Sequence, residues 1–171
     1  MCGLLGMLAA TGDVDKYVDA LERSLPCMRH RGPDAAGTWH DGDAAFGFNR
    51  LSIIDLEHSH QPLRWGPEDQ PDRYAMTFNG EIYNYVELRE ELKGLGYTFH
   101  TEGDGEPIVV GYHHWGKDVV NHLRGMFGIV IWDTHTKTMF AARDQFGIKP
   151  LYYACLLYTS DAADERYSVD L

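Results

Sequence analysis

The chain has 171 residues, 44% of them hydrophobic and 24% charged, which suits one ordinary domain with a sizeable core and not a disordered segment. Against 26 Asp and Glu stand only 15 Lys and Arg, a formal net charge of −11 that argues against nucleic acid, whose phosphates attract a basic face. No apolar run approaches the roughly 20 residues needed to span a bilayer, so no membrane partner is expected.

The opening "MCGLLGM" has neither a basic flank nor a long apolar core, and no secretory signal is read there. Cys2, Cys27 and Cys155 form an odd set without paired spacing, which fits a reducing, cytoplasmic setting. Residues 3–10 predict a buried strand. A helix should follow, with Val14, Val18, Leu21 and Leu25 at helical spacing and Asp13 as its cap. "HRGPDAAG" is a loop, and "GTWHDGDAAFGFNRLSIID" predicts a hairpin about an Asp-Gly turn.

Residues 57–73 are polar and proline-punctuated, a surface loop. "RYAMTFNGEIYNY" predicts a strand, a tight Asn79-Gly80 turn and a short strand. A helix starts at "NYVELREEL", with Asn84 and Glu87 spaced as a capping box, and Gly94 and Gly96 end it. "EPIVVGYHHWG" and "DVVNHLRG" predict two short helices; "MFGIVIWD", "TMFAARD" and "KPLYY" predict three closing strands. From Cys155 the patterning lapses into small and acidic residues. Residues 155–171 are expected to be a non-native or disordered tail, with a natural acidic linker as the alternative. Antiparallel runs with helices between them point to an α+β fold, two sheets packed face to face with helices outside.

Several residues could carry chemistry. If Met1 is trimmed, Cys2 bears a thiol and a free α-amine on one residue, and an α-amine pKa of about 7.7–8.0 suits a general base. A cysteine near a chain start can equally be incidental. Asn79 offers a side-chain amide and Gly80 an unobstructed N–H, a pair able to converge on a developing oxyanion, although Asn-Gly is most often a plain turn. Glu81 places a carboxylate beside them. Arg50, in an otherwise apolar run, could clamp a ligand carboxylate or simply face water. Asp104, between two glycines, could be a turn residue or bind an ammonium. A metal site from His58, His60, His113 and His114 is the weaker reading, because adjacent helical histidines point about 100° apart.

Met-Cys-Gly, "HRGPD", "RLSIID", "NGEIYN" and "RDQFGIKPLYY", in this order, resemble the class II glutamine amidotransferases, and among them the glutaminase domain of glutamine-hydrolysing asparagine synthetase. The resemblance covers residues 1–154. It implies an N-terminal nucleophile hydrolase-like fold, a four-layer αββα sandwich with two antiparallel sheets. It also implies that Cys2 is the nucleophile, with Met1 removed, and that Asn79 and Gly80 form an oxyanion hole. Arg50 would hold the glutamine α-carboxylate and Glu81 and Asp104 its α-ammonium, with Leu51, Ser52, Ile53 and Ile54 lining the pocket.

No cofactor or metal is implied for these residues. ATP and Mg belong, by the resemblance, to a C-terminal synthetase domain that amidates aspartate and that is absent here, the chain being read as a fragment. That domain is the expected partner, with a homodimer possible for a full-length protein; a class II domain serving another ammonia acceptor is the alternative. Three residues depart from the family's pattern. Gly103 and Gly105 replace small hydroxyl residues, implying a looser loop. Pro107 stands at a helix's first turn, where it is tolerated. Gln145 replaces an arginine in the segment facing the partner domain.

Overall fold

The computed structural model describes residues 2–9, 13–56 and 58–154. Residues 155–171, with Cys155 and the expected tail, lie outside the described residues.

Among the described residues, seven strands form two antiparallel sheets. The first contains β1 (Gly3–Leu8), β2 (Ala35–His40) and β3 (Ala44–Arg50) in the order β1-β3-β2. The second contains β4 (Leu63–Trp65), β5 (Tyr74–Ile82), β6 (Gly125–Asp133) and β7 (Thr138–Arg143), in chain order. The described residues also form three helices, α1 (Asp15–Ser24), α2 (Tyr85–Gly94) and α3 (Glu106–Trp115), with short 3-10 turns at Leu25–Met28 and Gly116–Asn121.

Strand alternation sorts the side chains into layers. On β5 and β6, Met76, Phe78, Ile82, Phe127, Ile129 and Ile131 face α2 and α3, where they pack with Leu88, Leu92, Ile108, Val109 and Val110. The opposite faces meet the first sheet, with Ala75, Val130 and Trp132 against Ala44 and Phe46 of β3. On the far side of β3, Ala45 packs with Val14 and Leu21 of the α1 region. There Gly47 lies under Leu21 and Leu25, which a Cβ would meet at 2.8 and 2.9 Å. Read through the molecule, the layers are helix, sheet, sheet, helices, as the αββα expectation required.

Six local expectations are corrected. Asp13 does not cap α1; Val14 holds the N-cap position, and Asp13 pairs with Lys16 instead. Strand β3 stops at Arg50 and does not continue through "LSIID", which forms a loop around the Arg50 guanidinium. The loop 57–73 contains β4, because Leu63 and Trp65 alternate inward about Arg64 and pair with β5.

Asn79-Gly80 is not a turn. Strand β5 runs straight through it, paired with β6 from Tyr74↔Asp133 to Ile82↔Gly125, and that long ladder outweighs the dipeptide's turn preference. Glycine is required at 80 because a Cβ would run into the Met126 carbonyl on the neighbouring strand. Asn84 sits at the N-cap of α2, but no capping box forms. Its side chain spans outward, donating to the His122 carbonyl at 2.9 Å and accepting from the Arg124 N–H at 2.8 Å, and so ties the lead into β6 to the start of α2.

"KPLYY" is irregular and not a third closing strand. Asp144 organises this segment: its carboxylate accepts from the N–H groups of Phe127, Phe146, Ile148 and Lys149. Burial alone would push that carboxyl up, yet these N–H donors hold it below the usual carboxylate range.

Candidate active site

Two sheets that pack face to face leave a cleft where their strand ends diverge, and the site forms there. Cys2 directly precedes β1, and alternation places it on the same side as Leu4, toward the second sheet. Arg50, the last residue of β3, shares the inward parity of Phe46 and Phe48. Asn79 shares that of Ala75 on β5. Three residues far apart in the chain thus end at one seam. They line a cavity of about 180 Å³ together with Leu51, Ile53, Ile54, Gln61, Gly80, Glu81, Asp104, Met126 and Lys149.

The Cys2 sulfur accepts a hydrogen bond from the Leu51 N–H at 3.3 Å, and Arg31 of "HRGPD" donates to the Cys2 carbonyl at 3.2 Å. The nucleophile candidate is therefore held at both ends of its short chain segment. Arg50 is buried, and its guanidinium donates to the carbonyls of Leu56 at 3.0 Å, Ile54 at 3.3 Å and Asp55 at 2.5 Å. It shapes the loop that walls the pocket and itself lines the cavity.

Of the loop residues, Leu51, Ile53 and Ile54 reach the pocket. Ser52 does not. Its N–H donates to the Asp34 carboxylate at 2.7 Å, which turns it toward "HRGPD", and its expected place in the pocket lining is corrected accordingly.

The backbone of β5 sets the donors. The N–H and C=O of Phe127 both point toward Asp144, away from β5, so Gly80 opposite it forms a non-hydrogen-bonded pair. Even-numbered residues of β5 consequently aim their N–H groups at the outer edge. Phe78 there exchanges two bonds with the Gln61 amide, at 2.7 and 3.1 Å, and Ile82 donates to the Asp104 carboxylate at 3.0 Å. Gly80 lies between them with its N–H unclaimed among the described residues. The Asn79 amide, buried beside it, has no protein partner among those residues either. Two open donors on consecutive residues, rigidly held in a ladder, suit a developing oxyanion.

Asp104 and Glu81 supply negative charge across the same cavity. Burial raises the Asp104 pKa, the N–H groups of Ile82 and Asp104 itself partly offset this, and the Glu81 charge adds to the rise. A ligand ammonium between the two carboxylates would relieve that strain.

The loop carrying Asp104 is not loose, contrary to the expectation from Gly103 and Gly105. Arg89 of α2 donates to the Thr101 carbonyl and to the Gly103 carbonyl at 2.7 Å. Glu106 at the start of α3 accepts from the His100 and Thr101 N–H groups. Asp55 bridges to it from the other loop, accepting from the Glu102 N–H at 2.8 Å and from Ser59 and His58. Burial would raise the Asp55 pKa, but these donors bring it down to about 2. Gly103 presses on Ser59, where a side chain would clash. Arg31, Asp55, Gln61, Arg89 and Glu106 were not singled out from sequence. Only the buried positions of Arg89 and Glu106 on otherwise amphipathic helices hint at them.

Three of the four histidines raised as metal ligands have other partners: His58 with Asp55, His113 with the Tyr74 hydroxyl and His114 with that of Tyr97.

A sandwich of two antiparallel sheets between helical layers, with a start-proximal cysteine at their seam, defines the N-terminal nucleophile class of amidotransferase fold. A family model described as the glutamine amidotransferase domain matches residues 1–164, and the chain belongs to that family. It is 57% identical over 165 residues to a putative glutamine-hydrolysing asparagine synthetase of Mycobacterium tuberculosis, covering 90% of this chain and 25% of that protein. It is 43% identical over 174 residues to glutamine-hydrolysing asparagine synthetase 1 of Bacillus subtilis, covering 99% of this chain and 26% of that one. The chain thus spans about a quarter of the length of the curated relatives it matches. Among solved structures, the glutamine phosphoribosylpyrophosphate amidotransferase of B. subtilis shares the fold, with a TM-score of 0.58 at 20% identity, over 84% of this chain and 36% of that one.

Proposed function

We propose that this domain hydrolyses L-glutamine to glutamate and ammonia at the seam between the sheets, with Cys2, freed of Met1, as nucleophile. The observation that carries this reading is the convergence on one cavity of the Cys2 thiol, the two open donors of Asn79 and Gly80, a buried arginine and a carboxylate pair. Glutamine has the matching groups: an α-carboxylate for Arg50, an α-ammonium for Glu81 and Asp104, and a side-chain amide that reaches the sulfur.

The Cys2 sulfur bonds to the amide carbon, the carbonyl π pair moves onto oxygen, and the thiol proton passes to the Cys2 α-amine. Asn79 and Gly80 stabilise the oxyanion. The amine returns the proton to nitrogen as the C–N bond breaks, and ammonia leaves a γ-glutamyl thioester. Water then attacks this thioester with the same amine as base, giving glutamate and the free thiol.

The relatives' length supports a further domain as partner, an ATP- and Mg-using synthetase that takes the ammonia to amidate aspartate, in a cytoplasmic setting. An exposed apolar run supports it too: Phe146 is 87% exposed, and Ile148, Tyr152 and Tyr153 lie open beside it, a surface such a domain would cover. Among the described residues no helix is long and apolar enough to cross a membrane.

The test is glutamate release from glutamine by the purified chain. Cys2→Ala should abolish it, and so should one uncleavable residue placed before Cys2, because the base then becomes an amide. Full activity in the extended protein would overturn the proposed base.

A further inference from the structure

Lys149 is 5% exposed, lies in the wall of the candidate active site, and has no carboxylate or carbonyl acceptor for its ammonium among the described residues. A buried cation of this kind is costly unless something answers its charge. The surrounding structure holds it in place deliberately. Asp144 accepts the Lys149 N–H at 2.9 Å and so clamps the turn through Gly147, whose φ is +62°, against β6. The Lys149 Cβ then lies 4.0 Å from where a Cβ on Gly128 would be. Gly128 is the direct cross-strand partner of Asn79, and its missing side chain leaves the lysine stem room on that face.

The two cations of the cavity are unequally occupied. Arg50 already donates to three carbonyls of its own loop, whereas the three N–H donors of Lys149 have no acceptor among the described residues. The two acidic groups, Glu81 and Asp104, lie C-terminal to the Asn79-Gly80 donors along β5 and across from it. Lys149, in the turn packed on Gly128 opposite Asn79, therefore makes the Asn79 side of the cavity the anion-accepting one.

We propose that Lys149 is an anion-stabilising residue of the substrate cavity, its ammonium donating to the oxygen of the reacting side-chain carbonyl. It would meet that oxygen first as the oxyanion formed on attack by sulfur and afterwards as the γ-carboxylate of the departing glutamate. This rests on the glutamine-hydrolysis reading above. The chemistry explains why a cation is useful there: the substrate's side chain is neutral, and negative charge appears on that oxygen only in the transition state and the product. An ammonium at this place favours both over the ground state. The same contact makes Lys149 a determinant of glutamate retention.

The experiment compares the wild-type chain with Lys149→Met, which keeps the stem and removes the charge, and Lys149→Arg, which keeps the charge. The first readout needs no turnover. Alkylation of Cys2, followed on its own peptide by mass spectrometry, is timed with anionic iodoacetate and with neutral iodoacetamide. The iodoacetate-to-iodoacetamide rate ratio should fall about fivefold in Lys149→Met and stay near wild type in Lys149→Arg. In glutamine hydrolysis, Lys149→Met should lower kcat by about 10- to 100-fold with KM little changed, and weaken inhibition by glutamate by a similar factor. Lys149→Arg should recover most of both.

An unchanged alkylation ratio in a Lys149→Met protein that melts like wild type would overturn the proposal. So would a lowered ratio with undiminished kcat and glutamate inhibition, since the charge would then be present but unused. A wild-type chain that releases no glutamate, yet shows the ratio change, would overturn the hydrolysis reading while leaving the anion site standing.

Discussion

The two sheets are built to different standards. The β4–β7 sheet carries a large apolar cluster against α2 and α3, with Ile129, Ile131, Met76, Leu92 and Ile108 fully buried. The β1–β3 sheet meets α1 through a smaller cluster, with only Val14, Leu21 and Ala45 fully buried and Leu5, Met7, Ala9 and Val18 partly so, and with glycine at 47 leaving space for Leu21. The donors Asn79 and Gly80 belong to the heavy half. Cys2, Arg50 and the loop 51–56 belong to the light one. The difference teaches that parts whose position must not change are set in a dense ladder, while the segment that must present a short-lived nucleophile is tethered by hydrogen bonds instead: Leu51 and Arg31 to Cys2, and Arg50 to its own loop.

That contrast can be broken in urea. Ile131→Ala should cost about 3–5 kcal/mol, the upper part of the range for core truncations, because β6 is packed on both faces. Leu21→Ala should cost about 2 kcal/mol, the lower end. Equal losses would erase the distinction between the halves. Asp144→Asn should follow at about 3 kcal/mol, since it takes an ionised acceptor from four N–H groups.

Its pH signature sharpens the point. The folded pKa is lowered, so the stabilisation is fully present above the unfolded value of 3.8 and fades as pH falls toward the folded one. The variant should lose that part of the acid limb in a pH series of urea midpoints.

Asp55→Asn, on the light side, should be milder, at about 2 kcal/mol. Its pH-dependent part is confined to the window between 3.8 and about 2, where the folded carboxylate finally protonates. Because Asp55 joins the Arg50 loop to the Asp104 loop, this variant should also raise the KM for glutamine more than it lowers kcat. An unchanged KM would show that the two loops hold their places separately. Smallest of all, Gly42→Ala at the β2–β3 turn should cost about 1 kcal/mol, for glycine is there at a φ of +87° with open space around it. A neutral result in thermal melts would mean that the turn relaxes freely.

Much of the architecture is legible in the sequence. Periodicity placed α1, α3 and the β6–β7 pair; motifs in order located Cys2, Arg50, Asn79, Gly80 and Glu81, and Asp104 stood out between two glycines, all of which line one cavity. Local rules misled where a partner from elsewhere in the chain intervened. Asn79-Gly80 reads as a turn by itself and is a strand because β6 pairs with both of its sides. Asn84 reads as a cap, but His122 and Arg124 claim its amide. "LSIID" reads as strand and is loop because Arg50 draws in its carbonyls.

From its order of residues alone this chain declared which side chains alternate, which groups can ionise or attack, and which family of amidotransferase it resembles, because these depend on neighbours a few bonds away. Which N–H is left open at Gly80, that Ser52 turns from the pocket, and that a lysine 70 residues downstream of Asn79 packs on Gly128, the residue paired with Asn79, were decided by folding. Strand pairing and burial join groups across the whole chain, and no local pattern encodes which distant atom will arrive to satisfy a given donor or charge.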